Sequence, residues 1–573
     1  MNYLKRLYEE LEKQCRSHAK EIYNYAIPQS WNLYGYRPAK SIRSRELLVH
    51  PYEFYLFTLR NILKDADGNW KQPQLTKEKP SDKRDWLKHA SVYSLMVRTA
   101  TAWDHDRDDR LVSDNLYHLN DNGTFLKSIL LLPLLKRMGV NTLLLHQIFP
   151  LCKTQNAHDY PVKEAVTDFR SIDPLLQDKL VKKLDAKEQC AAFLEACHLL
   201  GFRVILEYCP GKLARENSYY KEHPEWFFWF DSDQQNAYHP PRCNALPQNT
   251  LPFTYALKDF YRSEDVQQHI ALFQEAPDGL HEFESLREIE LDLHTTIAPS
   301  MVDQINAAIP AEQDTTIWRM YEDIHAQVPR DIRAQAKPYL MQDIIRYDLH
   351  PARKPMTALW GYLCENICWY QQELGIDGIF LEKPYLLPEK LQRAMAKAAR
   401  KQRKSFVMIA EDTVSDNSPL WLSKGYDAIS GSGAQRILIA HLKSSLQEKH
   451  IIYQTLSIRS KPKPERRRHR NLQMSITRHQ NILVTLTLTN QNMKQLLYSL
   501  CYFSDLSTSE KFQIKQHLII TRTPAMNLLT DITQTTRKHQ FYLRVHVFNS
   551  FFYYKLTSLR RSIYIFQFGQ QLS

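Results

Sequence analysis

The sequence predicts an α/β fold of the (β/α)8 TIM-barrel kind, and three observations carry that prediction. Short apolar runs alternate with segments of helical periodicity from about residue 90 to 440. Most of the runs are apolar on both faces, as in a parallel sheet covered on both sides. Several end in a carboxylate or another polar residue, at the strand ends where barrels of this kind gather their sites. With 573 residues and 67.6 kDa, the chain has room for a barrel of about 250 residues and substantial additions.

The elements follow in order. An amphipathic helix opens the chain, then an aromatic stretch holding Trp31, Tyr34, Tyr36 and Tyr52. The polar run from Lys64 to Arg84 reads as a linker or long loop. Ser91 to Val97 reads as the first barrel strand, Gly123 to Met138 as one helix, Asn141 to His146 as the second strand, and Asp185 to Leu200 as a helix. Gly201 to Cys209, Gly375 to Glu382, Ser405 to Glu411 and Tyr426 to Ser430 repeat the strand pattern, with a helix from Pro388 to Lys401. About 165 residues separate Tyr208 from Gly375, far more than one connecting helix needs, so a subdomain is inserted there. The expected division is an N-terminal extension at 1–85, a barrel at 86–456 with its insertion at about 210–350, and a basic C-terminal region at 457–573 whose fold the pattern leaves undetermined.

Charge is distributed unevenly. Ser457 to Ser573 holds 18 Lys and Arg against four Asp and Glu, a surplus of 14, so the first 456 residues carry a net −2 of the overall +12. The basic balance belongs to the tail, and only the tail argues for nucleic acid. No glycine falls between Gly433 and Gly569, although a β-domain of that length needs glycines for its turns. Two readings stand for this segment: a basic, aromatic-bearing arm that binds a polyanion, or a reading frame changed after about residue 440. The coincidence of charge switch and missing glycines favours the second. Nine scattered cysteines fit reduced thiols better than a disulfide framework, and Cys364 and Cys368 lack the second pair a zinc site would need. The charged N-terminus lacks a secretory pattern and no apolar run reaches membrane-span length, so the expectation is a cytoplasmic protein.

The strand-end motifs resemble those of the α-amylase family of glycoside hydrolases and transglycosidases, over roughly residues 90 to 440. Gly123-Thr-Phe-Leu-Lys to Met138-Gly-Val-Asn-Thr-Leu-Leu-Leu is similar to that family's first helix and second strand, and Arg203-Val-Ile-Leu-Glu-Tyr-Cys-Pro to its third-strand motif. His223-Pro-Glu-Trp-Phe resembles a segment of its maltosyltransferase-like and trehalose-related branches. Gly375-Ile-Asp-Gly-Ile-Phe-Leu-Glu and Phe406-Val-Met-Ile-Ala-Glu are similar to the fourth and fifth strands. The resemblance implies retaining cleavage or transfer on an α-glucan or maltooligosaccharide, with Glu411 as acid/base and Glu382 in the nucleophile's place. Such chemistry needs two carboxyl groups about 5 Å apart. Glu207, Trp226 and Asp377 complete the set as substrate-binding candidates. Glu207 stands at the third-strand aspartate's position, and Asp377 lies deepest, where it buttresses the barrel. No cofactor is implied.

Four departures accompany the resemblance. Phe380 replaces the family's arginine, Glu382 is one methylene longer than its aspartate, Gly211-Lys212 replaces an Asn-His pair, and a seventh-strand His-Asp element is missing. They leave open a second reading, a catalytically inactive barrel that binds glucan or a partner protein. Two further signals are weak. Asp104, Asp106, Asp108 and Asp109 offer hard oxygen ligands for Ca²⁺ but without an EF-hand's glycine and distal Glu, so a solvated acidic loop is preferred. Gly431-Ser-Gly lacks the ending of a nucleotide-binding loop.

Overall fold

The computed structural model describes residues 2–37, 40–43, 46–75, 84–152, 165–211, 213–237, 264, 268, 271–298, 348–349, 354–382, 384, 387–411, 418–430, 541–546, 551–556 and 563–567. Helix α1 (Asn2–Ser17) buries Leu4, Leu7, Tyr8 and Leu11 along one stripe, the i, i+3, i+4, i+7 spacing of an amphipathic helix. Strands β1 (Tyr25–Pro28), β2 (Lys40–Arg43) and β3 (Glu46–Val49) form a small antiparallel sheet in the order β1-β3-β2, and α2 (Pro51–Leu63) follows.

The main sheet begins with β4 (Val92–Leu95) and the one-turn helix α3 (Val97–Ala100). The helix expected from Gly123 to Met138 is two, α4 (Phe125–Ile129) and α5 (Leu132–Arg137). The break has a local cause: Pro133 has no N–H to give, and its ring collides with the carbonyl one turn earlier, so it is accommodated only in the first turn of a new helix. Then come β5 (Thr142–Leu145), α6 (Ala186–Leu199) and β6 (Arg203–Tyr208). Asp185 and Glu188 close a reciprocal capping box at the start of α6.

After β6 comes an antiparallel sheet of β7 (Trp229–Asp231) between β8 (Phe273–Gln274) and β9 (Thr295–Ile297), with α7 (Leu286–Leu293) beside it. A short pair, β10 (Asp348–Leu349) and β11 (Lys354–Pro355), leads to α8 (Thr357–Trp369). Gly375 turns the chain at φ +78°, a left-handed conformation that favours glycine, into β12 (Gly378–Leu381). Helix α9 (Glu389–Gln402), β13 (Val407–Glu411), α10 (Ser418–Ser423) and β14 (Ala428–Ser430) complete this part. An antiparallel meander of β15 (Phe541–His546), β16 (Phe551–Leu556) and β17 (Ile563–Gln567) lies near the C-terminus.

Six strands make one parallel sheet in the order β4-β5-β6-β12-β13-β14, which is their order along the chain. A doubly wound sheet reverses its order at a switch point. Strictly sequential order is that of a singly wound, barrel-type sheet with its helices on one side. Packing agrees. Leu143, Leu145, Leu206, Ile379, Leu381 and Met408 join the large core shared with the helices, whereas Ile205, Phe380, Val407, Ile409 and Ala428 form a separate cluster on the other face. Trp86 and Leu87, from the 3₁₀ turn Arg84–His89, and Ala90 just after it close that inner cluster. The last two strands of an eight-stranded barrel would follow Ser430, outside the described residues, where Gly431-Ser-Gly and most of the tail also lie.

The N-terminal residues share the barrel's core. Helix α1 packs on α6, the backbone amides of Asn2 and Leu4 donate to the Glu195 carboxylate at 3.0 and 2.8 Å, and Arg6 pairs with Glu188 at 2.7 Å. Among the described residues no helix is long and apolar enough to cross a membrane.

Candidate active site at the strand ends

Strand register fixes the site from the sheet upward. On the inner face, Ser94, Leu144, Ile205, Gly378 and Val407 lie side by side on five adjacent strands. Two residues further on, about 7 Å along the strands, come Glu207, Phe380, Ile409 and Ala428. His146 leaves β5 at that level, since Leu145 pairs with Leu206. The next level is the rim. Leu381 pairs with Ala410, so Glu382 and Glu411 follow side by side, on strands about 4.8 Å apart, with Ser430 opposite Glu411. The Glu382 amide donates to the Tyr208 carbonyl at 3.3 Å, which carries the ladder to the rim. Both rim glutamates are half-buried.

Glu207 sits one level below and is only 2% exposed. Its carboxylate accepts from the Nδ1 of His146 at 2.9 Å and the backbone amide of Gln147 at 3.2 Å. The Nε2 of His146 meets the Ser94 hydroxyl, so three adjacent strands are linked in a Ser94-His146-Glu207 relay. Gln147 is itself buried, and neither the oxygen nor the nitrogen of its side-chain amide is paired among the described residues. Sequence reasoning missed Ser94 and His146. The available signal was that His146 closes an apolar run on a polar residue, as Glu411 does.

The other two candidates lie elsewhere. Asp377 enters β12 at the end opposite Glu382, and at 3% exposure it accepts from the Nε2 of His198 at 3.0 Å, from Arg203 at 3.3 Å and from the Val204 amide at 2.8 Å. Burial alone would raise its carboxyl, but the His198 hydrogen bond and charge and the Arg403 guanidinium outweigh burial and hold it below its ordinary value. A carboxylate so engaged at the far end of the strand locks the sheet's entry edge and does not share the rim with Glu382 and Glu411. Trp226 is 4% exposed; its indole stacks on His223 at 3.8 Å and tilts against Tyr219 and Tyr362. Phe227, Phe228, Trp229 and Phe230 are buried with it, so the aromatic segment fills a core where substrate contact was expected of Trp226.

The Asp104, Asp106 and Asp108 carboxylates converge, with an oxygen of each within 4.8 Å of the others. Each already folds its own loop: Asp104 accepts from the amides of Arg107, Asp108 and Asp109, Asp106 from Leu116, and Asp108 from Arg110. Arg107 and Asp109 take positive φ within that turn. Burial pushes the Cys364 thiol up to about 11. Lys212, at the place of the Asn-His pair, lies outside the described residues.

No family model and no curated protein matches the chain. Solved structures do. A debranching enzyme from Nostoc punctiforme aligns at 14% identity and a TM-score of 0.32, covering 63% of this chain and 52% of its own, so this chain spans about half the length of that enzyme. The α-amylase of Geobacillus thermoleovorans, solved with acarbose, aligns at 12% identity and TM-score 0.37, covering 83% of this chain and 85% of its own. An α-amylase from Lactobacillus plantarum gives 12%, 0.36, 82% and 86%. At these values no residue correspondence is drawn from the alignments, and the sheet order stands on its own register. By their own descriptions these three structures are a debranching enzyme and two α-amylases, while the parallel α/β sheet of this chain rests on its own strand order.

Proposed function

We propose that this chain is a retaining glycoside hydrolase or transglycosidase of the α-amylase family acting on α-glucans. One observation carries the reading: Glu411 ends β13 and Glu382 directly follows the last residue of β12, each next after the paired residues Leu381 and Ala410 of adjacent parallel strands. Neighbouring strand ends suit the roughly 5 Å carboxyl separation of retaining enzymes. The sequence resemblance and the solved glycosidases with which the chain aligns point to the same chemistry.

In this reading Glu411 protonates the glycosidic oxygen while Glu382 attacks the anomeric carbon, forming a glycosyl ester as the leaving sugar departs. Glu411, now a carboxylate, takes a proton from water or from an acceptor sugar's hydroxyl, whose oxygen displaces Glu382. The Phe380 side chain, one level below Glu382 and flanked by Glu207 and Ile409, has no polar atom to offer either glutamate. Glu411→Gln is expected to lower maltoheptaose turnover at least 100-fold, the usual range for losing general acid–base catalysis. Unchanged turnover in that variant rejects the assignment.

A further inference from the structure

This inference rests on taking the strand-end mouth as the active site. Glu207 is a carboxylate buried on the inner face one level below the rim pair and one strand to the side, on β6 next to Phe380, and a buried carboxylate is costly unless donors meet it. On its β12 side stands Phe380, which has nothing to donate. On its β5 side stands His146, with Nδ1 on Glu207 and Nε2 on the Ser94 hydroxyl. Both ring nitrogens are thus committed. The Ser94 contact fixes the ring's rotation and favours the tautomer that donates from Nδ1. Ser94 is itself buried in the lower level of the inner face, which suits a hydroxyl that orients a ring rather than one that attacks a substrate.

We infer that His146 is a positioning residue: held by Ser94, it keeps Glu207 an oriented carboxylate under the mouth, a fixed negative charge below the place where a sugar becomes cationic. Such a charge acts only when positive charge develops, so its loss falls on kcat more than on KM.

The test uses the full chain carrying His146→Gln, Phe380→Arg, both together, and each combined with Glu207→Gln, with maltoheptaose as substrate and thermal unfolding midpoints measured in parallel. His146→Gln is expected to lower kcat about 10- to 100-fold, the usual cost of removing an orienting partner, with KM within about threefold. Phe380→Arg in the same chain is expected to restore most of that loss, because a guanidinium then meets Glu207 from the β12 side. The midpoint should fall with His146→Gln only where Glu207 is present. Equal falls with and without Glu207, or an unchanged kcat, overturn the inference. If no variant, nor the parent chain, turns over maltoheptaose, the glycosidase reading fails, while the midpoint coupling still decides the relay. Should His146→Gln not fold, Ser94→Ala replaces it, with a smaller fall of kcat in the same direction.

Discussion

Lys127 shows how much a single residue governs here. Its ammonium is buried, donating to the carbonyls of Asn120 and Asn122 at 2.5 and 2.9 Å and lying 3.0 Å from the Nε2 of His105. Burial drives it down to about 8, against the pull of Asp178 and Asp121. An unfolded lysine titrates near 10.4, so between pH 8 and about 10.4 the folded chain holds fewer protons than the unfolded one, and this residue's contribution rises with pH across that window. Melting the parent chain beside Lys127→Met should show the parent gaining on the variant from pH 8 to 10; a constant or shrinking difference contradicts the buried cation. Asp377 runs the other way. Its depressed carboxyl stabilises above the ordinary carboxylate range and loses that contribution as pH falls through its lowered value. Asp377→Ala should cost about 3–5 kcal/mol in urea unfolding, as when one partner of a buried ion pair is removed. The strand-end placement of Glu382 and Glu411 was legible in the sequence because a carboxylate closing an apolar run is a local pattern, whereas Glu207, followed by Tyr208 and Cys209, was singled out only by the family resemblance. The Ser94-His146 contact spans 52 positions and leaves no such trace.

At the scale of elements, apolar runs located all six parallel strands, because burial on both faces demands uninterrupted hydrophobic residues. The α4–α5 break was missed, since helical periodicity continues across it and only Pro133 marks the discontinuity. Gly378 illustrates a constraint the pattern hid: a Cβ there would lie 2.3 Å from Val407 Cγ2 and 2.9 Å from its carbonyl oxygen. Gly378→Ala should therefore destabilise the chain by about 1–3 kcal/mol, the usual cost of overpacking, as read from its denaturation midpoint. An unchanged midpoint would mean that β12 and β13 separate more easily than their packing implies.

For the whole molecule, strand order was the property the sequence conveyed best, because right-handed crossovers leave a run of alternating strands and helices few topologies. Continuity of the core across residue 85 was not legible, since α1 meets α6 through side chains nearly two hundred positions apart. For the basic tail we propose a changed reading frame, because the charge switch, the missing glycines and the end of the resemblance coincide after about residue 440. Resequencing the coding DNA from about codon 430 is expected to reveal a frame that restores a His-Asp strand end and a glycine-containing β-domain. A retaining carboxylate pair at the rim is checked by following maltoheptaose with proton NMR and reading the anomeric configuration of the first product. The parent chain should release α-configured product, and Glu411→Gln should release it at least 100-fold more slowly. β-configured product, or no turnover by the parent chain, would contradict such a pair.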